Sequence, residues 1–257
     1  HPGPGMINSG VYRVRRDPFF DELARYPATN VSLERDMLPD LARRRLVTSQ
    51  IHDCFFIDIG VPDQFAEAQS MFPRRRGAVF FDRDGVLNHD DGYTHRIDDL
   101  RWIDGAVRAV KATNDAGLFA FVVTNQAGIA RGYYGEDDVR TLHRWMQEQL
   151  RAEGAHIDAF AYCPHHPDGV VPEFTGACER RKPGPGMLRD LMTEWPVDAR
   201  SSVMIGDRET DIQAAAAAGI RGALFGGGDL SIFLDTLKVT GPGPPPLHPG
   251  PHHVREI

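Results

Sequence analysis

Cysteine is scarce here: the 257 residues hold only three, an odd number. A disulfide framework is not expected, and a reducing, cytoplasmic setting is. Long apolar runs are missing too. No stretch approaches the ~18 residues of a membrane span, and the opening residues lack a secretory-signal pattern. There is no basic excess: 29 Lys and Arg face 36 Asp and Glu, a net charge of −7. That balance argues against broad nucleic-acid binding, which needs a basic footprint. Small anionic substrates stay open, because local clusters bind them whatever the global sign. What is present is ordinary for a globular protein, with 41% hydrophobic and 25% charged residues. The length suits one large domain, or a medium one plus a smaller piece.

The chain opens "HPGPGMINSGVY", as though cut from something longer. Its end, residues 239–257, contains "TGPGPPPLHPGPHHVREI" and is expected to be disordered, because it can bury little apolar surface. Residues 1–73 read as short strands and one or two helices. "INSGVYRV" and "CFFIDIG" are strand-like, "SLERDMLPDLARR" is helical with Ser32 as its N-cap, and "VPDQFAEAQSMF" begins a helix at its proline. Residues 74–76, inside the basic "PRRRG", read as a solvated linker.

From Gly77 to about residue 238 the rhythm is regular. "AVFFD", "LFAFVVTN", "HIDAFAYC", "SSVMIGD" and "RGALF" are apolar strand patterns, separated by helical patterns at 104–116, 136–153, 185–194 and "DIQAAAAAG". Such alternation predicts an α/β doubly wound, mainly parallel sheet. Sites in such sheets lie at the carboxyl ends of strands. Four polar clusters fall there. Asp82 and Asp84 end the first strand, close enough to require a cation between them, and Mg2+ suits an all-oxygen site. Thr124 and Asn125 end the second strand. Lys182 follows the third, and Asp207 and Asp211 follow the fourth. Each alone is an ordinary solvated loop; all four in this order are not.

The motifs "DRDGVLN", "VVTN", "RKP" and "GDRETD" resemble the four motifs of the haloacid-dehalogenase-like phosphotransferases. The longer stretches "FFDRDGVLNHDDGY", "TNQAGIARGYY", "CPHHPDG" and "RKPGPGML" resemble the subgroup with heptose 1,7-bisphosphate phosphatases and histidinol-phosphatase domains. The resemblance implies that Asp82 is a nucleophile forming an aspartyl-phosphate, and that Asp84 is acid and then base. It implies that Thr124 and Lys182 hold the phosphoryl oxygens. Mg2+ would sit on Asp82, the Asp84 backbone carbonyl and Asp207, with Asp211 orienting Lys182 or a metal-bound water. Substrate contacts fall to Asp90, Asp91, Gly92, Tyr93, Asn125, Gln126, Ala127, Arg181 and Arg208; Arg181 suits a second phosphate or sugar hydroxyls. The subgroup commonly has Lys where this chain has Arg208. The intervals between motifs are too short for an added cap domain, so an open site is expected.

The subgroup often carries Cys-x-His and Cys-x-Cys in the loop before the Arg-Lys pair. Here Cys163, His165 and Cys178 match, while the fourth position is Arg180, which cannot ligate. Structural zinc wants four ligands. Either Zn2+ is held by three with water or His166 as fourth, or the loop folds without metal. Cys54 reads as a small core residue.

Within residues 1–73, "INSGVY", "SLERDMLPDL" and "FFIDIGVPDQFAEAQ" resemble the C-terminal part of a sugar-1-phosphate nucleotidyltransferase. That resemblance implies a sugar contact at Asn8 and a metal contact at Asp58. The family's Gly-rich nucleotide-binding loop is absent, so no nucleotidyl transfer is expected. The pairing points to nucleotide-activated heptose synthesis, with an upstream nucleotidyltransferase region as the implied partner and a phosphorylated sugar as substrate. Histidinol-phosphate hydrolysis and a non-catalytic fusion remnant are the alternatives. A polynucleotide 3′-phosphatase is disfavoured by the acidic balance.

Overall fold

The computed structural model describes residues 10–26, 30–49, 57–71, 75–239 and 241. Asn8, Cys54 and most of the expected tail lie outside them. The chain divides into two compact units, His1–Asp58 and Ile59–Pro245.

In the smaller unit, helix α1 (Arg16–Leu23) leads to a π-helical turn (Leu33–Met37) that continues as α2 (Leu38–Arg43). Ser32 caps the turn as expected, accepting from the Arg35 N–H. Arg44 grips Glu22 through both terminal nitrogens, at 2.7 and 2.8 Å. The strand expected over 7–14 does not form in its described part: residues 10–15 have no regular structure, and Val11 and Val14 are exposed. Nor does the described part of "CFFIDIG", residues 57–60, form a strand.

The larger unit begins with α3 (Pro62–Met71). Arg76, expected in a linker, bridges Val197, and its guanidinium lies 4.0 Å from the Phe119 ring centre. The regular succession follows as β1 (Ala78–Phe81), α4 (Ala106–Asp115), β2 (Phe119–Asn125), α5 (Ala127–Ala130), α6 (Glu136–Ala152) and β3 (Ala159–Cys163). Then come α7 (Gly186–Glu194), β4 (Val203–Gly206), α8 (Glu209–Ala218), β5 (Arg221–Leu224) and α9 (Leu230–Thr236). The five strands are parallel in the order β3-β2-β1-β4-β5.

Strand alternation divides the core. Val79 and Phe81 of β1 face Val110 of α4, Leu142 and Met146 of α6, and Leu234 of α9. Ala78 and Phe80 face Met187 and Leu188 of α7 and Ala215 of α8. Each fully buried Leu or Phe contributes about 1.5–3 kcal/mol, so both layers fix β1 at the sheet's centre. Its carboxyl end lies where the strand order reverses, the place where such sheets open a crevice.

Candidate active site

Asp82 follows β1 directly, and its N–H donates to the Ile205 carbonyl of β4 at 2.9 Å. Oδ1 of Asp82 takes the Arg83 N–H at 2.7 Å and lies 2.9 Å from Lys182 Nζ. The same Nζ is 2.7 Å from Asp211 Oδ1 and donates to the Val123 carbonyl at 2.9 Å. Three acceptors thus match the three protons of a buried ammonium. Burial pushes the Asp82 carboxyl up to about 7, with Lys182 pulling it down and Asp211 repelling. Burial opposes the Lys182 charge, but Asp82 and Asp211 outweigh it, and the ammonium is held charged.

Asn125 aligns this lysine. Its amide donates to the Lys182 carbonyl and accepts from the Lys182 N–H, each at 3.0 Å. Two glycines make room for the carboxylates. Gly85 has φ +88°, and a Cβ there would strike the Asp207 carboxylate; at Gly206 a Cβ would strike Asp211.

Carboxylate oxygens of Asp82, Asp207 and Asp211 lie within 4.8 Å of one another. Burial raises the Asp207 pKa, and its Oδ1 is buried with no hydrogen-bond partner. An orphaned carboxylate oxygen among like charges fits a hard divalent cation, which takes all-oxygen ligands.

Asp84 faces the same cleft. Arg83 Nη2 donates to its Oδ2 at 2.9 Å, Asn88 Nδ2 to Oδ1 at 3.0 Å and Gln126 Nε2 to Oδ2 at 3.0 Å. Gln126 also donates to Thr124 Oγ1 at 2.8 Å and accepts from the Tyr134 hydroxyl at 2.8 Å.

The cleft, about 530 Å³, is lined on the reaction side by Asp82, Asp84, Thr124 and Lys182. Asn125, Gln126, Ala127, Asp90, Gly92, Tyr93, Arg181 and Arg208 also line it. Arg208 spans to Asp90, with Nη2 2.6 Å from Oδ2. Asp91 is the exception: Arg101 holds its carboxylate at 2.6 Å, and it does not line the cleft. It sits between Asp90 and Gly92, but an exposed arginine across the flap takes its charge.

Arg131 is a cleft residue the sequence reading passed over. Its Nε is buried without a partner, and its guanidinium carbon lies 6.0 Å from the Tyr93 ring centre. The one available signal was a basic residue inside the strand-end stretch "TNQAGIARGYY".

Before Arg181 the chain makes the Cys/His loop. The donor atoms of Cys163, His165 and Cys178 lie within 4.8 Å of one another. Three soft and borderline donors at that spacing fit zinc in kind, one short of a closed tetrahedron. Burial pushes the Cys163 thiol up to about 11. Arg180, at the fourth position, pairs instead with Asp190 at 3.3 Å. His166 is outside the cluster; its Nδ1 accepts from the Asp168 N–H at 3.0 Å, and its ring lines the cleft. The Cys/His loop delivers Arg181, whose Nη1 donates to the His165 carbonyl at 3.2 Å.

A central parallel strand ending in a buried carboxylate, with lysine and two further carboxylates beside it, is a site for phosphoryl transfer. Residues 179–231 match the family model described as "HAD-hyrolase-like". The chain is 50% identical over 165 residues to the D-glycero-beta-D-manno-heptose-1,7-bisphosphate 7-phosphatase of Rhodopseudomonas palustris, covering 64% of this chain and 92% of that one. The enzyme of the same name from Yersinia pestis is 46% identical over 143 residues, 56% of this chain and 76% of that one. Among solved structures, the D,D-heptose 1,7-bisphosphate phosphatase of B. bronchiseptica, complexed with magnesium and phosphate, is 31% identical with a TM-score of 0.54. The match covers 65% of this chain and 90% of that one. The chain belongs to the HAD-like hydrolases. Within that class it is a phosphatase. Among the described residues, no helix is long and apolar enough to cross a membrane.

Proposed function

We propose that this protein is a Mg2+-dependent phosphatase that removes the C7 phosphate of D-glycero-D-manno-heptose 1,7-bisphosphate through an aspartyl-phosphate. The observation that carries the chemistry is the buried Lys182 ammonium between Asp82 and Asp211, beside the unpartnered Asp207 oxygen. The substrate reading rests on the names of the matched relatives and on the two cleft arginines, Arg131 and Arg181.

Asp82 attacks phosphorus with Oδ2, since Oδ1 is engaged by Lys182 and the Arg83 N–H. The bond from phosphorus to the sugar oxygen breaks as Asp84 gives that oxygen a proton. In the second half, Asp84 takes a proton from water as the water oxygen attacks phosphorus. The Asp82–phosphorus bond then breaks and inorganic phosphate leaves. Thr124 and Lys182 hold the phosphoryl oxygens throughout. Magnesium, held by Asp82, the Asp84 carbonyl and Asp207, would neutralise nucleophile and phosphate together. Asp90, Gly92, Tyr93 and Arg208 close over the sugar, and Arg131 and Arg181 take the second phosphate as bidentate forks.

Zinc on Cys163, His165 and Cys178 would serve to hold the loop that presents Arg181. Residues 77–238, within the larger unit, would form the phosphatase domain, and 1–73 a nucleotidyltransferase-like segment. An upstream nucleotidyltransferase region and a cytoplasmic setting follow from that reading. A substrate panel with and without Mg2+ tests the reading. Heptose bisphosphate should turn over far faster than histidinol phosphate; equal rates, or the reverse order, overturn the substrate assignment. Turnover surviving Asp82→Asn overturns the nucleophile.

A further inference from the structure

Arg83 lies between the two carboxylates of the first motif, where sequence alone leaves it an unremarked spacer. In the fold its side chain has 0% exposure, and it is among the largest fully buried side chains. A buried guanidinium is costly unless it is paired and hydrogen-bonded. Its partners are specific. Nε donates to Asp84 Oδ1 at 3.1 Å, and Nη2 reaches both Asp84 oxygens at 3.0 and 2.9 Å. Nη2 also meets the Thr94 carbonyl and Gln126 Oε1, the latter at 3.2 Å. Nη1 lies 3.4 Å from His143 Nε2.

His143 comes from α6 and is buried. Its ring stacks on Phe160 at 4.5 Å and meets Tyr162 edge-on at 6.1 Å. Burial, then the Arg83 charge, hold its pKa well below the usual imidazole value. A neutral ring presents a lone pair to the guanidinium; a protonated one would repel it.

We propose that Arg83 and His143 are positioning residues for the reaction, forming a buried relay that holds the Asp84 carboxyl group in the orientation from which its acid form protonates the leaving oxygen. The relay runs from α6 through His143 and Arg83 to Asp84. Gln126 ties it to the phosphoryl side, because one amide joins Arg83, Asp84 and Thr124. An aspartate with this many donors cannot swing, so its free approach to the cleft is set by the arginine behind it. This rests on Asp84 being the acid of the proposed mechanism.

Leaving-group dependence separates positioning from general damage. An alkyl sugar oxygen needs a proton to leave, whereas p-nitrophenolate leaves without one. His143→Phe keeps the stacking shape and removes the acceptor; His143→Gln returns an acceptor near the Nε2 position. For His143→Phe we expect the single-turnover rate of sugar release from heptose 1,7-bisphosphate to fall about 10-fold, a tenth or less of what general acid catalysis supplies. Apparent substrate affinity should stay unchanged, and single-turnover release of p-nitrophenolate, which precedes the step where Asp84 is the base, should stay within about 2-fold. His143→Gln should recover most of the sugar-phosphate rate. Arg83→Lys, which loses the fork, should show the same selectivity more strongly. Equal losses on both substrates in a folded His143→Phe protein, or no recovery in His143→Gln, overturn the relay. Asp84→Asn is the control for the parent reading. If it too slows single-turnover leaving-group release from both substrates equally, Asp84 is not the acid and the relay falls with it. If only Asp84→Asn is selective, the relay alone falls.

Discussion

Replacing Lys182 by methionine tests the electrostatics of the site in one step. The ammonium is 2.9 Å from Asp82, 2.7 Å from Asp211 and almost wholly buried. At an effective dielectric of about 20, each contact is worth about 6 kcal/mol before desolvation. Desolvation offsets most of that, and breaking a buried pair by removing one partner leaves a net loss of about 3–5 kcal/mol. The sign with pH follows from Asp82. Its folded pKa, about 7, exceeds the ordinary carboxylate value. Folding therefore favours the protonated acid, and ionisation weakens the fold as pH rises through that window. Without Lys182 the lowering influence is gone, so the penalty grows at high pH and shrinks where Asp82 holds its proton. Urea unfolding of metal-free Lys182→Met and wild type, at pH 5 and pH 8, measures this. We expect about 3–5 kcal/mol at pH 8 and about half of it at pH 5, because the Asp211 contact is lost at both pH values. A difference below about 1 kcal/mol at pH 8, or one equal at both pH values, refutes the reasoning.

Gly85→Ala should cost about 1–3 kcal/mol of stability, because it puts a Cβ at φ +88° against the Asp207 carboxylate. It should also raise the Mg2+ concentration needed for half activity; an unchanged metal dependence would contradict the proposed cation site. Arg181→Ala should raise KM for the sugar bisphosphate about 10- to 100-fold, the worth of a charge-assisted hydrogen bond, and leave a monophosphate nearly unaffected. Equal changes for both would remove Arg181 from the second phosphate. Zinc analysis of protein purified without chelator should find the metal, and Cys163→Ser should lose it; a content near zero in wild type ends the zinc reading.

The five strands of the larger unit were legible because each is a short, mostly apolar run, and the loops after four of them carried the motif residues. Helix α5 was not, since four residues cannot show a helical period. Asp91 was carried with its neighbours, although Arg101 takes its charge through a contact ten residues away. The strand expected around Val11 is irregular over its described residues. Asn125 was read as a substrate contact; its amide is committed to the Lys182 backbone, from a segment 57 residues on.

The sequence by itself determined the α/β class and which candidate residues stand at the strand ends, because burial periodicity and strand-end residues are local properties. It also determined that Arg180 stands where a ligand was expected. Only the tertiary structure decided that Lys182 sits between two carboxylates, that Asp207 has an unpartnered oxygen and that Arg83 is buried behind Asp84. Those facts depend on which side chains meet across β1, β2, β4 and α6. Packing sets such meetings, and with them the charges and hydrogen bonds that turn ordinary aspartates into a site.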